Sequence, residues 1–179
     1  KTLGIQYFWS CNTPIFTVIY TTEAEWIAYA EYLNDLGALA RQQGQTLMVH
    51  NHDIEFEIVF GDQTVFDILM ANTDPRNVVF QLDLYWAANG GGLENPMEVL
   101  ERYGNRIQLF HVKDMAAGPF PGRIEIVGEG IIDFPEIFAA SEGQIRYYVV
   151  EHDPRFGDPT FDPFEAAQKG FNYLNCVTY

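Results

Sequence analysis

The sequence predicts an α/β fold, a (β/α)8 TIM barrel represented by its C-terminal five βα units, in one domain over residues 1–179. Three observations carry that expectation. Short apolar runs alternate with stretches of helical periodicity, the pattern of a parallel sheet with helical crossovers. Each of the last four runs stops abruptly in His, Asp or Glu, and barrel active sites are assembled where strands end. No linker or low-complexity segment interrupts the 179 residues, a length that suits one core.

The first strand is expected over Leu3–Trp9. A helix follows from Thr22 to Gln43, opened by a Thr22/Glu25 capping box and stopped by Gly44. Its apolar positions Trp26, Ala30, Leu33, Leu36 and Ala40 recur at helical spacing. Thr46 to His50 is the second strand. Glu55 and Glu57 lie just beyond it, alternate with Phe56 and are expected to face solvent. A loop or ribbon at Gly61-Asp62 leads to a short helix from Val65 to Met70. Asn77 to Tyr85 is the third strand, dense in Val, Phe and Leu as a sheet covered on both faces should be. Pro96 starts a helix that runs to Tyr103 and ends at Gly104-Asn105. Arg106 to Val112 is the fourth strand. After a Gly/Pro-rich loop come a helix over Asp133–Ala140, the fifth strand over Arg146–Glu151 and a closing helix over Pro163–Leu174.

Five units do not close a barrel of eight, so three earlier units, on the order of 100 residues, are expected upstream. The apolar edges Leu3–Trp9 and Arg146–Glu151 are expected to be covered by them or by another polypeptide. The same elements also suit an open, doubly wound five-stranded sheet.

Composition narrows the function. Hydrophobic residues at 47% and charged residues at 20% rule out a disordered chain. The longest apolar runs, Leu84–Ala88 and Tyr147–Val150, are far too short to span a membrane, so no membrane partner is expected. Nothing at Lys1 resembles a signal peptide; a cytoplasmic location is expected, with targeting left open because the chain does not begin with Met. A net charge of -15 repels phosphate backbones, so no nucleic-acid partner is expected, while it favours holding a cation. Cys11 and Cys176 lie far apart and show no ligand-like spacing.

The strand ends carry the chemistry. Side chains alternate along a strand. Met48, His50 and His52 therefore share a face, as do Val79, Gln81 and Asp83, then Leu109, His111 and Lys113, then Tyr147, Val149 and Glu151. With these faces inward, His50, Asp83, His111 and Glu151 converge at the C-terminal rim. A single strand-end charge signals only a solvated loop. Four successive strands ending in nitrogen or oxygen ligands point instead to one divalent ion, Mn²⁺, Zn²⁺, Co²⁺ or Mg²⁺. Trp86 either stacks on a sugar face or fills the rim. Gly90-Gly-Gly92 reads as a plain turn, since no Lys-Ser/Thr follows it. Gly128-Glu-Gly130 reads as a turn with Glu129 a candidate to face the site. His152, on the face opposite Glu151, is expected to be a structural partner.

Five segments occur in register: His50-Asn-His-Asp-Ile-Glu-Phe56, Gln81-Leu-Asp-Leu-Tyr-Trp86, Arg106-Ile-Gln-Leu-Phe-His-Val-Lys-Asp114, Val127-Gly-Glu-Gly-Ile-Ile-Asp-Phe134 and Val150-Glu-His-Asp153. Together they resemble the xylose isomerase-like TIM-barrel superfamily, in its sugar phosphate isomerase/epimerase branch, from Leu3-Gly4 to Tyr173-Leu174. The resemblance implies a metal held by a carboxylate from each of three strands and one His. Asp83, His111 and Glu151 carry over directly. The remaining ligand, usually Glu, is replaced by His50 in strand register, whereas Glu55 matches relatives in which that Glu follows an Asn. Both stay open as ligands. Trp86 stands where the epimerases carry a substrate-binding His, which argues against a simple ketose 3-epimerase.

The resemblance implies a divalent-metal-dependent sugar or sugar phosphate isomerase/epimerase that transfers a proton through a metal-stabilised enediolate. Glu151 with Glu55 or His52 would exchange the proton, and Lys113 and Trp86 would bind a small-molecule sugar, Lys113 also neutralising enediolate charge. Keto-sugar dehydratases or lyases of the same barrel, and a non-catalytic sugar-binding subunit, are the alternatives. Phosphodiester hydrolysis on this barrel needs further His and Asp ligands, and Gly122-Arg-Ile-Glu-Ile126 has no His. A homo-oligomer is compatible with each reading.

Overall fold

The computed structural model describes residues 4–9, 21–120, 122–153 and 161–179. Leu3, expected in the first strand, and Cys11 lie outside the described residues. In chain order the elements begin with β1 (Tyr7–Trp9), α1 (Glu23–Gln42) and β2 (Thr46–His50). Next come α2 (Ile54–Glu57), β3 (Val59–Phe60), β4 (Gln63–Thr64), α3 (Val65–Asn72), β5 (Val78–Asp83), α4 (Leu84–Gly91) and α5 (Asn95–Tyr103). The remainder are β6 (Ile107–Val112), β7 (Asp114–Met115), β8 (Ile124–Glu125), α6 (Phe134–Ala140), β9 (Tyr147–Val150) and α7 (Pro163–Cys176).

Helix α1 forms where its capping box predicts: the Thr22 hydroxyl accepts from the Glu25 amide, and the Glu25 carboxylate accepts from the Thr22 amide at 2.9 Å. It buries Trp26, Ala30, Leu33 and Ala40. Thr64 and Asp67 cap α3 in the same reciprocal way.

The main sheet has five strands in the order β1-β2-β5-β6-β9, all parallel. Its two faces differ. Leu47, Val49, Val78, Phe80, Leu82, Phe110 and Val112 point into one large core shared with the helices. On the opposite face Met48, Val79 and Leu109, with Tyr7 against them, form a separate small layer that contains no helical residue among the described ones. A doubly wound sheet carries helices on both faces; among the described residues this one has them packed on one face only.

The sheet is also strongly curled. Three strands stand between β1 and β9, so a flat sheet would hold those two roughly 19 Å apart at the usual strand spacing. Yet the Tyr7 and Tyr147 rings meet edge to face at 5.9 Å across the concave side. The architecture is a parallel half-barrel with helices outside, part of the (β/α)8 barrel that the sequence predicts. No helix among the described residues is long and apolar enough to cross a membrane.

Three local expectations are corrected. The third strand stops at Asp83 rather than Tyr85, because Asp83 caps α4 and draws Leu84 and Tyr85 into a helix. Gly90 and Gly91 complete α4 instead of forming a plain turn; Gly92, at φ +98°, ends it. Glu55 and Glu57 do not alternate on extended chain. The helical turn α2 buries Glu55 and leaves Glu57 exposed.

Candidate metal centre

Parallel register sets the rim. His50 pairs with Gln81, Asp83 with His111, and His111 with Val149, so each inward residue lies beside the next. Glu151 follows β9, with its amide still bonded to the Val112 carbonyl at 3.1 Å. The result is a cluster of His50, Asp83, His111 and Glu151 whose ligand atoms, one from each, all lie within 4.8 Å of one another. His50 and Asp83 are buried; His111 and Glu151 are partly so. Glu55 lies outside this cluster, so of the two residues left open for the remaining place, His50 is the one brought to the other three.

The donor set fits a divalent cation. His50 Nδ1, Asp83 Oδ2, His111 Nδ1 and Glu151 Oε2 are buried and make no hydrogen bond. Buried polar atoms are nearly always paired; here Asp83 Oδ2, His111 Nδ1 and Glu151 Oε2 have ion-pair contacts only. His111 Nδ1 lies 2.8 Å from Glu151 Oε2 and 3.7 Å from Asp83 Oδ2, close enough for ion pairing but without hydrogen-bond alignment. Two imidazoles and two carboxylates suit Mn²⁺, Zn²⁺ or Co²⁺.

Electrostatics agree with the geometry. Burial, opposed chiefly by Asp83, lowers His50 to about 4 and leaves it neutral. Burial also disfavours charge on His111, but Asp83 and Glu151 outweigh it and push His111 up to about 9. Without a cation this site holds a proton on His111. A metal ion would take that proton's place. Burial raises Glu151, yet His111 and Lys113 together hold it well below the usual carboxylate range.

Lys113 is 1% exposed, with Nζ 2.7 Å from Asp153, 2.9 Å from Glu151 and 3.4 Å from Asp83. It also sits 5.1 Å from the centre of the Trp86 ring. One ammonium thus serves three carboxylates. Trp86 is fixed from below, since its amide donates to Asp83 Oδ1 at 2.9 Å. The His52 ring lies 4.9 Å from His50 and 5.7 Å from Trp86, at the edge of the cluster.

Glu55 is 1% exposed, and burial pushes its carboxyl up to about 7. Its Oε2 accepts from the His52 amide at 2.8 Å, while Oε1 has no hydrogen bond. Glu129 does not face the site; it pairs with Lys169 at 3.1 Å. His152 stacks on Phe161 at 4.6 Å. Asp114, the first residue of β7, turns away from the rim. It accepts from the amides of Met115, Gly128, Gly130 and Ile132. A Cβ on Gly130 would collide with that carboxylate, which is why glycine stands there.

The parts played by three site residues escape sequence reasoning. Asn51 is hidden between two histidines. Asp153 follows the strand by three residues and becomes relevant only through Lys113. Trp9, whose ring meets His50 edge-on at 5.5 Å, reads as an ordinary strand residue. Inward alternation along β1, had it been extended to the rim, would have found Trp9.

Comparison with known proteins places this geometry. The family model for a xylose isomerase-like TIM barrel matches residues 3–173. An inosose dehydratase from Clostridium beijerinckii is 32% identical over 185 residues, 91% of this chain and 58% of that protein. An inosose dehydratase from Geobacillus thermodenitrificans is 31% identical over 90% of this chain and 56% of that protein. The chain therefore spans less than two thirds of these relatives' length. A solved sugar phosphate isomerase/epimerase from Parabacteroides distasonis superposes with a TM-score of 0.82 at 29% identity, over 98% of this chain and 59% of that one.

Proposed function

The chain belongs to the xylose isomerase-like TIM-barrel family, and from that premise we propose that it supplies the metal-binding rim of a dehydratase. The reaction withdraws a proton beside the carbonyl of a keto-sugar or keto-cyclitol and expels the hydroxyl on the next carbon. The observation that carries this reading is the convergence of His50, Asp83, His111 and Glu151, which bring one ligand atom each to within 4.8 Å of one another. These four residues would hold one divalent ion, and Glu55 would not. When bound, the ion supplies Lewis acidity that makes the C–H beside a carbonyl easier to ionise.

His52 accepts the proton. Burial lowers its pKa, which leaves the ring neutral at neutral pH and able to act as a base. The charges acting on it include Asp83, Lys113, Asp53 and Glu151, at the rim. Glu55, by contrast, is shifted mainly by its burial, and its part is to hold the His52 amide. Lys113 donates to the substrate oxygen that gains negative charge, and Trp86 packs on the C–H face of the ring. His52 then passes its proton to the departing hydroxyl, so water leaves and the site returns to its starting state.

Dehydration is preferred because the inosose dehydratases are 31–32% identical over at least 90% of this chain. The isomerase/epimerase reading is favoured by the 0.82 TM-score neighbour. The two differ in where His52 returns its proton: to the hydroxyl in one, to carbon in the other. Incubating the full protein and Mn²⁺ with keto-cyclitols and ketoses in heavy water separates them. Dehydration gives an unsaturated or dicarbonyl product short of one water. Isomerisation gives an isomer carrying solvent deuterium. His52→Gln should slow either by roughly 10²- to 10⁴-fold while keeping the metal. Neither exchange nor conversion of any of these compounds would remove the catalytic reading and favour a sugar-binding subunit.

A further inference from the structure

We propose that Asn51 is a positioning residue of the metal centre, a side-chain strut that fixes ligand Asp83 at the level of the flanking imidazoles. The inference rests on the metal reading above and goes beyond its ligand set. The main-chain ladder between β2 and β5 ends at His50 opposite Gln81, while β5 continues to Asp83. On one side Asp83 is still paired with His111 of β6. On the other side β2 has already turned away into the His52–Asp53 loop.

The Asn51 amide fills that gap in both directions. Its Oδ1 accepts from the Asp83 amide at 2.9 Å, and its Nδ2 donates to the Asp83 carbonyl at 3.3 Å. Asn51 is 2% exposed and Asp83 fully buried, so no bulk water would replace these bonds. Asp83 Oδ1 is already committed to the Trp86 amide, which leaves Oδ2 toward His111 and Lys113. Backbone and carboxylate are therefore both fixed, and Oδ2 has one direction left.

The position in sequence adds the second half. Asn51 lies directly between His50 and His52, so the peptide bonds flanking it join both imidazoles to the anchor on Asp83. An amide suits this place because it offers a donor and an acceptor side by side, as a peptide group does. Asp keeps the acceptor and loses the donor; Ala loses both. Groups outside the ligand shell that orient ligands commonly contribute about 10- to 100-fold to metal affinity.

The test uses Asn51→Ala and Asn51→Asp in the full protein. Metal affinity is read by competition with a chelator, ligand geometry by the visible absorption of the Co²⁺ form, and stability by melting of the metal-free protein. The expected result is a Co²⁺ affinity weakened about 10- to 100-fold, with altered visible bands. Lower melting points with unchanged affinity and unchanged bands would overturn the proposal and leave Asn51 a plain structural bridge. Should the Ala variant fail to fold, the near-isosteric Asp variant decides between the same outcomes. A parent protein that binds no metal would sink the metal reading itself, a result distinct from a parent and variants that bind equally.

Discussion

The concave face of the sheet ends in two regions of opposite chemistry. At the N-terminal end, Arg146 donates to the Tyr7 hydroxyl at 3.1 Å, and that hydroxyl donates to Gln108 Oε1 at 3.0 Å. The Tyr7 hydroxyl thus has one neutral and one singly charged partner. At the C-terminal end, Asp83, Glu151 and Asp153 crowd one buried ammonium, and four ligand atoms lack hydrogen bonds. The first region uses Tyr7 of β1, Gln108 of β6 and Arg146 just before β9; the second uses residues at or just beyond the ends of β2, β5, β6 and β9. The difference lies in the residues each end carries. Where a sheet can satisfy its polar groups it does so, and the end left in electrostatic excess is the one that a cation would complete.

The largest expected effect of breaking this contrast is at Lys113. Lys113→Met removes the ammonium shared by buried Asp83 and the partly exposed Glu151 and Asp153, leaving His111 as their remaining cation. It should cost roughly 3 kcal/mol in denaturant unfolding of the metal-free protein. Added Mn²⁺ should restore part of that loss. A change within about 0.5 kcal/mol, as at an ordinary surface lysine, would mean that the rim is not under charge stress.

His111 gives the pH signature. Its folded pKa is raised from 6.5 to about 9, so the folded state keeps a proton that the unfolded chain releases. The stabilisation is complete below pH 6.5 and disappears as pH rises through about 9. Melting points of the metal-free protein should fall across that window, and His111→Asn should flatten the fall. Parallel curves for parent and variant would contradict the assignment. The smallest effect belongs to the quiet end: Tyr7→Phe removes one hydroxyl and should cost about 1 kcal/mol with metal affinity untouched. A weakened metal site in that variant would erase the distinction between the two ends.

How much of this was legible in the sequence differs between the two levels. Strand alternation alone brought His50, Asp83, His111 and Glu151 to one rim, because a period of two leaves a side chain only two directions. The fold followed from alternating β and α patterns. Local transitions were harder. Leu84–Ala88 is apolar throughout, so no period separates strand from helix; the Asp83 cap decided it. Glu55 looked solvent-facing because α2 is a single turn, too short to show a period, and its burial comes from contacts remote in sequence. Asn51 and Asp153 matter only through Asp83 and Lys113, which lie 32 and 40 residues away. Spacing along the chain does not reveal such pairs.

The C-terminal rim stands or falls on one divalent ion. Elemental analysis of the full protein, purified without chelator, tests it directly beside Asp83→Asn, His111→Ala and Tyr7→Phe. A single bound ion is expected in the parent and in Tyr7→Phe, and none in the two ligand variants. Metal content unchanged in Asp83→Asn and His111→Ala, or absent from a folded parent supplied with Mn²⁺, Zn²⁺ and Co²⁺, would contradict it.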